Sequence, residues 1–187
     1  GSGPGSYWWE VTDKAGTTRY YGATQDGVRD KNAILPDTGP EFVWALRQVR
    51  DISGNTMTLN YVTATGTGVG SSNVSTGKEL YLDSIQYTGS VASGVPDDAP
   101  YEVRFIRDSQ LGEPRRPDVS IDGRGGFLRV TSDRLRRVDV YYRGTLTHRY
   151  VLNYTSGPFG KSLLTSVVQA GSDGVEYARH TFEYYND

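Results

Sequence analysis

The chain has 187 residues, a formal net charge of −2 and no cysteine, which excludes disulfides, thiolate nucleophiles and cysteine-held metals. That length allows one domain with a core large enough to fold without staples. No apolar run approaches the roughly 20 residues of a membrane helix, and no block of like charge suits a nucleic-acid backbone.

Gly1 to Ser6 reads as a linker or cloning scar, which leaves residues 7–187 as the module. Its first unit is Trp8-Trp9-Glu10-Val11-Thr12, a turn Asp13-Lys14-Ala15-Gly16, and Thr17-Thr18-Arg19-Tyr20-Tyr21-Gly22. Two short runs flanking a Gly-containing turn predict an antiparallel hairpin. Thr24 to Pro40 reads as a long loop. Glu41 to Arg50 has some helical character, but Trp44, Val43 and Val49 favour a strand. Asp51-Ile52-Ser53-Gly54-Asn55 turns the chain into Met57, Leu59 and Tyr61, which alternate with Thr58 and Asn60. The low-complexity stretch Thr63 to Lys78 predicts a mobile loop. Ser90 to Pro100 reads as a further loop, and 108–126 as a connection that divides an N-terminal from a C-terminal sheet. Beyond it, Val138, Val140 and Tyr142 alternate with Arg137, Asp139 and Tyr141, and Arg143-Gly144-Thr145 leads to Tyr150, Leu152 and Tyr154. The spacing predicts an all-β fold of about ten strands in antiparallel hairpins, as a sandwich or a strongly curved open sheet.

In order, these strings resemble the SpvB-like domain of bacterial virulence and insecticidal Tc toxin proteins and of RHS-type proteins. Trp9-Glu10-Val11-Thr12-Asp13-Lys14-Ala15-Gly16-Thr17 with Tyr20-Tyr21-Gly22 resembles its opening. Trp44-Ala45-Leu46, Val49 to Asn55, Ile85-Gln86-Tyr87-Thr88-Gly89, Arg116-Pro117-Asp118 and Gly126 to Val130 follow in the family's order. Leu135 to Val138, Tyr150 to Tyr154, Ser162 to Val167 and Gly171 to Gly174 complete the series. The resemblance implies a segment of a secreted or surface-displayed bacterial protein. Its role there is to add sheet to a shell or scaffold, packed against RHS- or propeller-type repeats of the same chain. It carries over no catalytic residue and no cofactor.

The residues themselves offer little chemistry. No Glu-x-Glu or Gln-x-Glu pair of the ADP-ribosyltransferase kind occurs, and Glu176 and Glu183 fall on opposite strand faces. His148 and His180 are the only histidines; they read as ordinary strand residues and lack the further ligands a zinc site needs. Asp97-Asp98 and Asp122-Gly123 supply turn chemistry rather than a calcium array. The basic run Arg134 to Arg143 includes Asp133 and Asp139 at its edge and centre, so cross-strand ion pairing is expected. The contact candidates are the aromatic pairs Trp8-Trp9, Tyr20-Tyr21, Tyr141-Tyr142 and Tyr184-Tyr185. In each, one ring points away from its neighbour. The outward rings suit a partner protein or, as the alternative, a glycan. The reading is therefore a non-catalytic module with no metal, cofactor, nucleic-acid or membrane-inserted partner.

Overall fold

The structure, a computed structural model, describes residues 7–36, 39–69, 74–90 and 99–185. The proposed linker at 1–6, the centre of the 90–100 loop and Asp97-Asp98 lie outside them. Helix among the described residues is limited to single 3-10 turns at Lys31–Ala33, Asp108–Leu111 and Pro158–Gly160. None is long and apolar enough to cross a membrane.

The strands are β1 (Trp9–Thr12), β2 (Thr18–Tyr21), β3 (Ile34–Leu35), β4 (Val43–Trp44), β5 (Leu46–Arg50), β6 (Asn55–Val69) and β7 (Val74–Ser90). They continue as β8 (Tyr101–Arg107), β9 (Ser120–Asp122), β10 (Arg129–Thr131), β11 (Leu135–Tyr142), β12 (Thr145–Ser156), β13 (Ser162–Gly171) and β14 (Glu176–Thr181). Ten of them form one antiparallel sheet in the order β1-β2-β5-β6-β7-β8-β11-β12-β13-β14, and β3–β4 and β9–β10 form two separate ribbons. The fold is all-β and the large sheet is open, with β1 and β14 at its edges.

The turns explain the hairpins. Asp13 Oδ1 accepts from the Ala15 and Thr17 amides at 2.9 and 3.1 Å, while Gly16 takes φ 84. Asp51 Oδ1 accepts from the Ser53 and Asn55 amides at 2.9 and 2.8 Å, with Gly54 also at φ 84. These matched side-chain turns pre-fold the reversal from local sequence. They also meet, because a Cβ on Gly16 would lie 2.3 Å from Ile52 Cγ2.

Two sequence expectations are corrected. The stretch 63–78 is not a mobile loop: β6 and β7 pair continuously from Leu59↔Ile85, through one register shift, to Val69↔Val74, with 70–73 outside the described residues. Alternating β-branched Thr63, Thr65 and Thr67 suit a strand. Gly66 and Gly77, which look like loop residues, instead face the β9–β10 ribbon. A Cβ there would meet Val130 O at 2.8 Å and Leu128 O at 2.4 Å respectively. Nor does 108–126 separate two sheets, since β8 and β11 on either side of it are paired, from Arg107↔Leu135 to Tyr101↔Tyr142. The excursion lies over the sheet and returns. The expected strand at Glu41 to Arg50 is present from Val43, but it is broken at Ala45 into β4 of the small ribbon and β5 of the large sheet.

The two faces of the sheet differ in polarity. Register places Tyr20, Gln48, Ser84, Asp139 and Ala170 on one face, and all five are buried. Its N-terminal part is met by the 23–36 segment, where Gln25 N–H donates to Gln48 Oε1 at 2.9 Å and Ala33, Ile34 and Leu35 are buried. Its C-terminal part holds ion pairs. Asp139, fully buried, accepts from Arg149 Nε and Nη2 at 2.8 and 2.9 Å and lies 3.1 Å from Arg137 Nε. The cross-strand pairing expected of the basic run is present.

The return segment is fastened by the same chemistry. Asp118 accepts from Arg116 Nε and Nη2 at 2.9 and 3.0 Å, and from Ser162 Oγ at 2.6 Å. The Arg116 guanidinium, with help from Ser162, holds its carboxyl far below the usual carboxylate range. A lowered folded-state pKa contributes stability above the ordinary carboxylate pKa, and that contribution is lost as pH falls below it. Asp118→Asn should therefore lower the urea midpoint at neutral pH, and the gap to wild type should narrow at about pH 3.

Candidate partner-contact face

The opposite face is apolar and only partly covered. Register aligns Leu59, Ile85, Val103 and Val140 across β6, β7, β8 and β11, and Phe105 with Val138 and Tyr150 beside them. Of these only Leu59 is buried; the others are half-buried and keep part of their surface in water. Gln48 is thus tucked under the 23–36 segment and Asp139 beneath its own arginine partners, while aliphatic side chains face the other way. Water penalises this arrangement in proportion to the apolar area left exposed.

A tyrosine ladder borders this face. Tyr87, Tyr101 and Tyr142 are register partners on β7, β8 and β11. The Tyr87 and Tyr101 rings stack at 5.2 Å and 15°, and Tyr101 and Tyr142 lie 5.0 Å apart at 45°. The Arg143 guanidinium sits 5.7 Å from the Tyr142 ring. Tyr101 and Tyr142 are 37% and 42% exposed, so the rings pack against one another yet stay open to a partner. Beyond Tyr87 the surface dips into a groove of about 460 Å3, lined by Val49, Asn55, Met57, Tyr87 and Thr88 among others.

Thr88 is the extra residue of a bulge, since Thr56 pairs with Gly89 and Met57 with Tyr87. It takes φ 63, a left-handed conformation that a β-branched residue adopts at a cost. Its hydroxyl donates to Tyr87 O at 2.6 Å, which offsets part of that cost. Thr88→Gly should stabilise the fold by about 0.5–1 kcal/mol, read as a higher urea midpoint at unchanged slope.

The eight aromatic candidates do not converge. Trp8 lies 6.1 Å from Tyr20, and Trp9 makes an edge contact with Trp44 at 5.8 Å. Tyr20 is buried and Tyr21 half-buried. These four belong to the β1 edge. Tyr141, capped by Arg104 at 4.4 Å from its ring, and Tyr142 stand on opposite faces of β11 in the sheet interior. Tyr184, whose hydroxyl donates to Leu164 O at 2.9 Å, and the 98% exposed Tyr185 follow β14 at the far edge. The edges are nine strand spacings apart, roughly 40 Å at about 4.8 Å each. Of the eight, Tyr142 alone joins the apolar face. Tyr87 and Tyr101 were missed because each looks like an ordinary alternating strand residue. Pairing in register brings them together, and no local pattern encodes it.

The titratable groups singled out from the sequence sit in separate strand and turn contacts. His148 lies 6.4 Å from the Tyr177 ring, and His180 pairs in register with Val167. Asp122 accepts from the Arg124 amide and guanidinium at 2.7 to 3.2 Å. Among the described residues no three His, Asp or Glu side chains group as metal ligands.

Solved structures share this architecture. The N-terminal domain of effector protein SpvB from Salmonella typhimurium strain LT2 matches with TM-score 0.70 and 18% identity, over 88% of this chain and 61% of that one. The TcdB2-TccC3-Cdc42 crystal structure matches with TM-score 0.73 and 17% identity, over 99% of this chain and 11% of that one. The Photorhabdus luminescens Tc holotoxin pore matches with TM-score 0.70 and 18% identity, over 95% and 10%. No family model and no curated relative matches the sequence. The chain has the SpvB-like fold, and it spans less than two thirds of the SpvB structure and about a tenth of the toxin chains.

Proposed function

We propose that the chain is a non-catalytic structural module of a larger, exported bacterial toxin-type protein, and that its apolar sheet face is covered by a neighbouring part of that protein. The reading is carried by the inverted polarity of the sheet. Asp139 is fully buried while its strand neighbour Val140, register-matched to Val103 and Ile85, stays partly exposed. A domain selected to work alone gains from the reverse arrangement. Matches that occupy about a tenth of long chains support the same view, since a segment of a long chain has neighbours to cover it. RHS- or propeller-type repeats are the neighbours the resemblance implies.

The test uses the isolated chain with Val103→Thr and Val140→Thr combined, which keeps β-branched shape and removes apolar surface. Hydrophobic-dye binding should fall while the urea midpoint changes by less than a core Val→Thr pair would cost, because part of the lost surface was facing water. Severe destabilisation would show that the face is this chain's own core. Turnover in a broad hydrolase and NAD-cleavage screen would overturn the non-catalytic reading, and saturable glycan binding would redirect it to recognition.

A further inference from the structure

At the tip of the β12–β13 hairpin the chain runs Gly157-Pro158-Phe159-Gly160. Gly157 N–H donates to Lys161 O at 2.7 Å and Gly160 N–H to Gly157 O at 3.2 Å, closing a tight turn. Phe159 sits at φ 57 and ψ 24, the left-handed position where such turns prefer glycine. Its side chain is 99% exposed. The fold thus holds a bulky ring in a strained conformation and buries none of it. A backbone outlier that returns nothing to its own fold points to use elsewhere.

A receptor for such a ring lies beside it. A groove of about 400 Å3 is lined by Gly157, Pro158, Leu163, Thr165, Phe182 and Tyr184 among others. Its outer wall is fixed, since Phe182 N–H donates to Thr165 O and Tyr184 Oη to Leu164 O, both at 2.9 Å. Phe182 and Tyr184 remain 44% and 48% exposed. Knob and groove therefore share Pro158 and sit at one end of the sheet, on a surface separate from the apolar face.

We propose that Phe159 and this groove form a self-complementary contact through which two copies of the chain pair about a two-fold axis. Because knob and hole belong to one patch, each copy can seat its Phe159 in the other, and the contact closes at two instead of growing into a fibre. The charges agree with that geometry. Exposed Lys161 follows the knob and exposed Glu183 lies in the groove-wall segment, so a two-fold brings opposite charges towards each other. A contact built on one ring and one groove per copy is weak and concentration-dependent, with the aromatic knob as its anchor.

Sedimentation velocity on the isolated chain, from about 5 to about 300 µM, tests the proposal. The wild type should shift from monomer to dimer across that range. Phe159→Gly relieves the turn and keeps the fold, and should weaken pairing at least tenfold; Tyr184→Ala should do the same from the groove side. A wild type that stays monomeric throughout overturns the proposal and leaves the knob for a different protein. So does a dimer that survives Phe159→Gly. A dimer abolished by Val103→Thr with Val140→Thr but untouched by Phe159→Gly assigns pairing to the apolar face and overturns it as well.

Discussion

Replacing Asp139 with asparagine is expected to cost about 3 kcal/mol, and so to lower the thermal midpoint by roughly 6–12 °C for a chain of this size. The carboxylate has no exposure and holds two guanidiniums, Arg149 through two hydrogen bonds and Arg137 at 3.1 Å. Asparagine fits the space but leaves both cations without a counter-charge. The cost stays at the lower end for a buried pair because Arg149 and Arg137 are 29% and 28% exposed and can regain water. Arg149→Met should cost less than Asp139→Asn, because Arg137 still pairs with the carboxylate. Calorimetry on both variants checks the order, and equal losses would show that the pair acts only through packing.

The second large effect is expected at Gly77. A side chain there meets backbone, with the nearest atoms being Leu128 O at 2.4 Å and Leu128 C at 2.8 Å. Lys78 N–H donates to Leu128 O at 3.2 Å, so the same approach that excludes a Cβ also joins the ribbon to β7. Gly77→Val should cost about 2–3 kcal/mol and lift β9–β10 from the β6–β7 arm. Trypsin reports it: cleavage after Arg124, whose side chain is 91% exposed, should accelerate well beyond what global destabilisation accounts for. Unchanged cleavage would mean that the arm bends while the ribbon stays bound.

Much of the fold was legible because it is locally encoded. Asp-x-x-Gly turns at Asp13 and Asp51 and the Arg143-Gly144 reversal, with φ 47 and 77, mark their hairpins without reference to anything distant. Period-2 alternation located β6, β11 and β12, and β-favouring Val and Trp residues located β5. Alternation cannot say which face is covered, however. Asp139 looks like a surface residue beside Val138 and Val140, and only the guanidiniums of Arg149 on the paired strand and Arg137 two residues away, closing over it, make it the buried one. Gly66 and Gly77 misled for a related reason: glycine marks a flexible loop and a close backbone approach with the same letter. The tyrosine ladder needs three strands in register before its members meet, so sequence-adjacent aromatic pairs were the wrong signal for it.

These results separate what stabilises the chain from what it presents. Ion pairs and glycine-mediated contacts fasten the excursions onto one face, and the other face is left aliphatic and tyrosine-rich. The measurement that tests this division most directly is hydroxyl-radical footprinting of Tyr87, Tyr101 and Tyr142, in the isolated chain and in a longer protein that contains it. The account predicts strong labelling of Tyr101 and Tyr142 in isolation and protection of all three in the longer protein, with Tyr185 serving as an exposed reference. Equal labelling of the ladder in both would contradict it, and would mean that the apolar face is not where the neighbour packs.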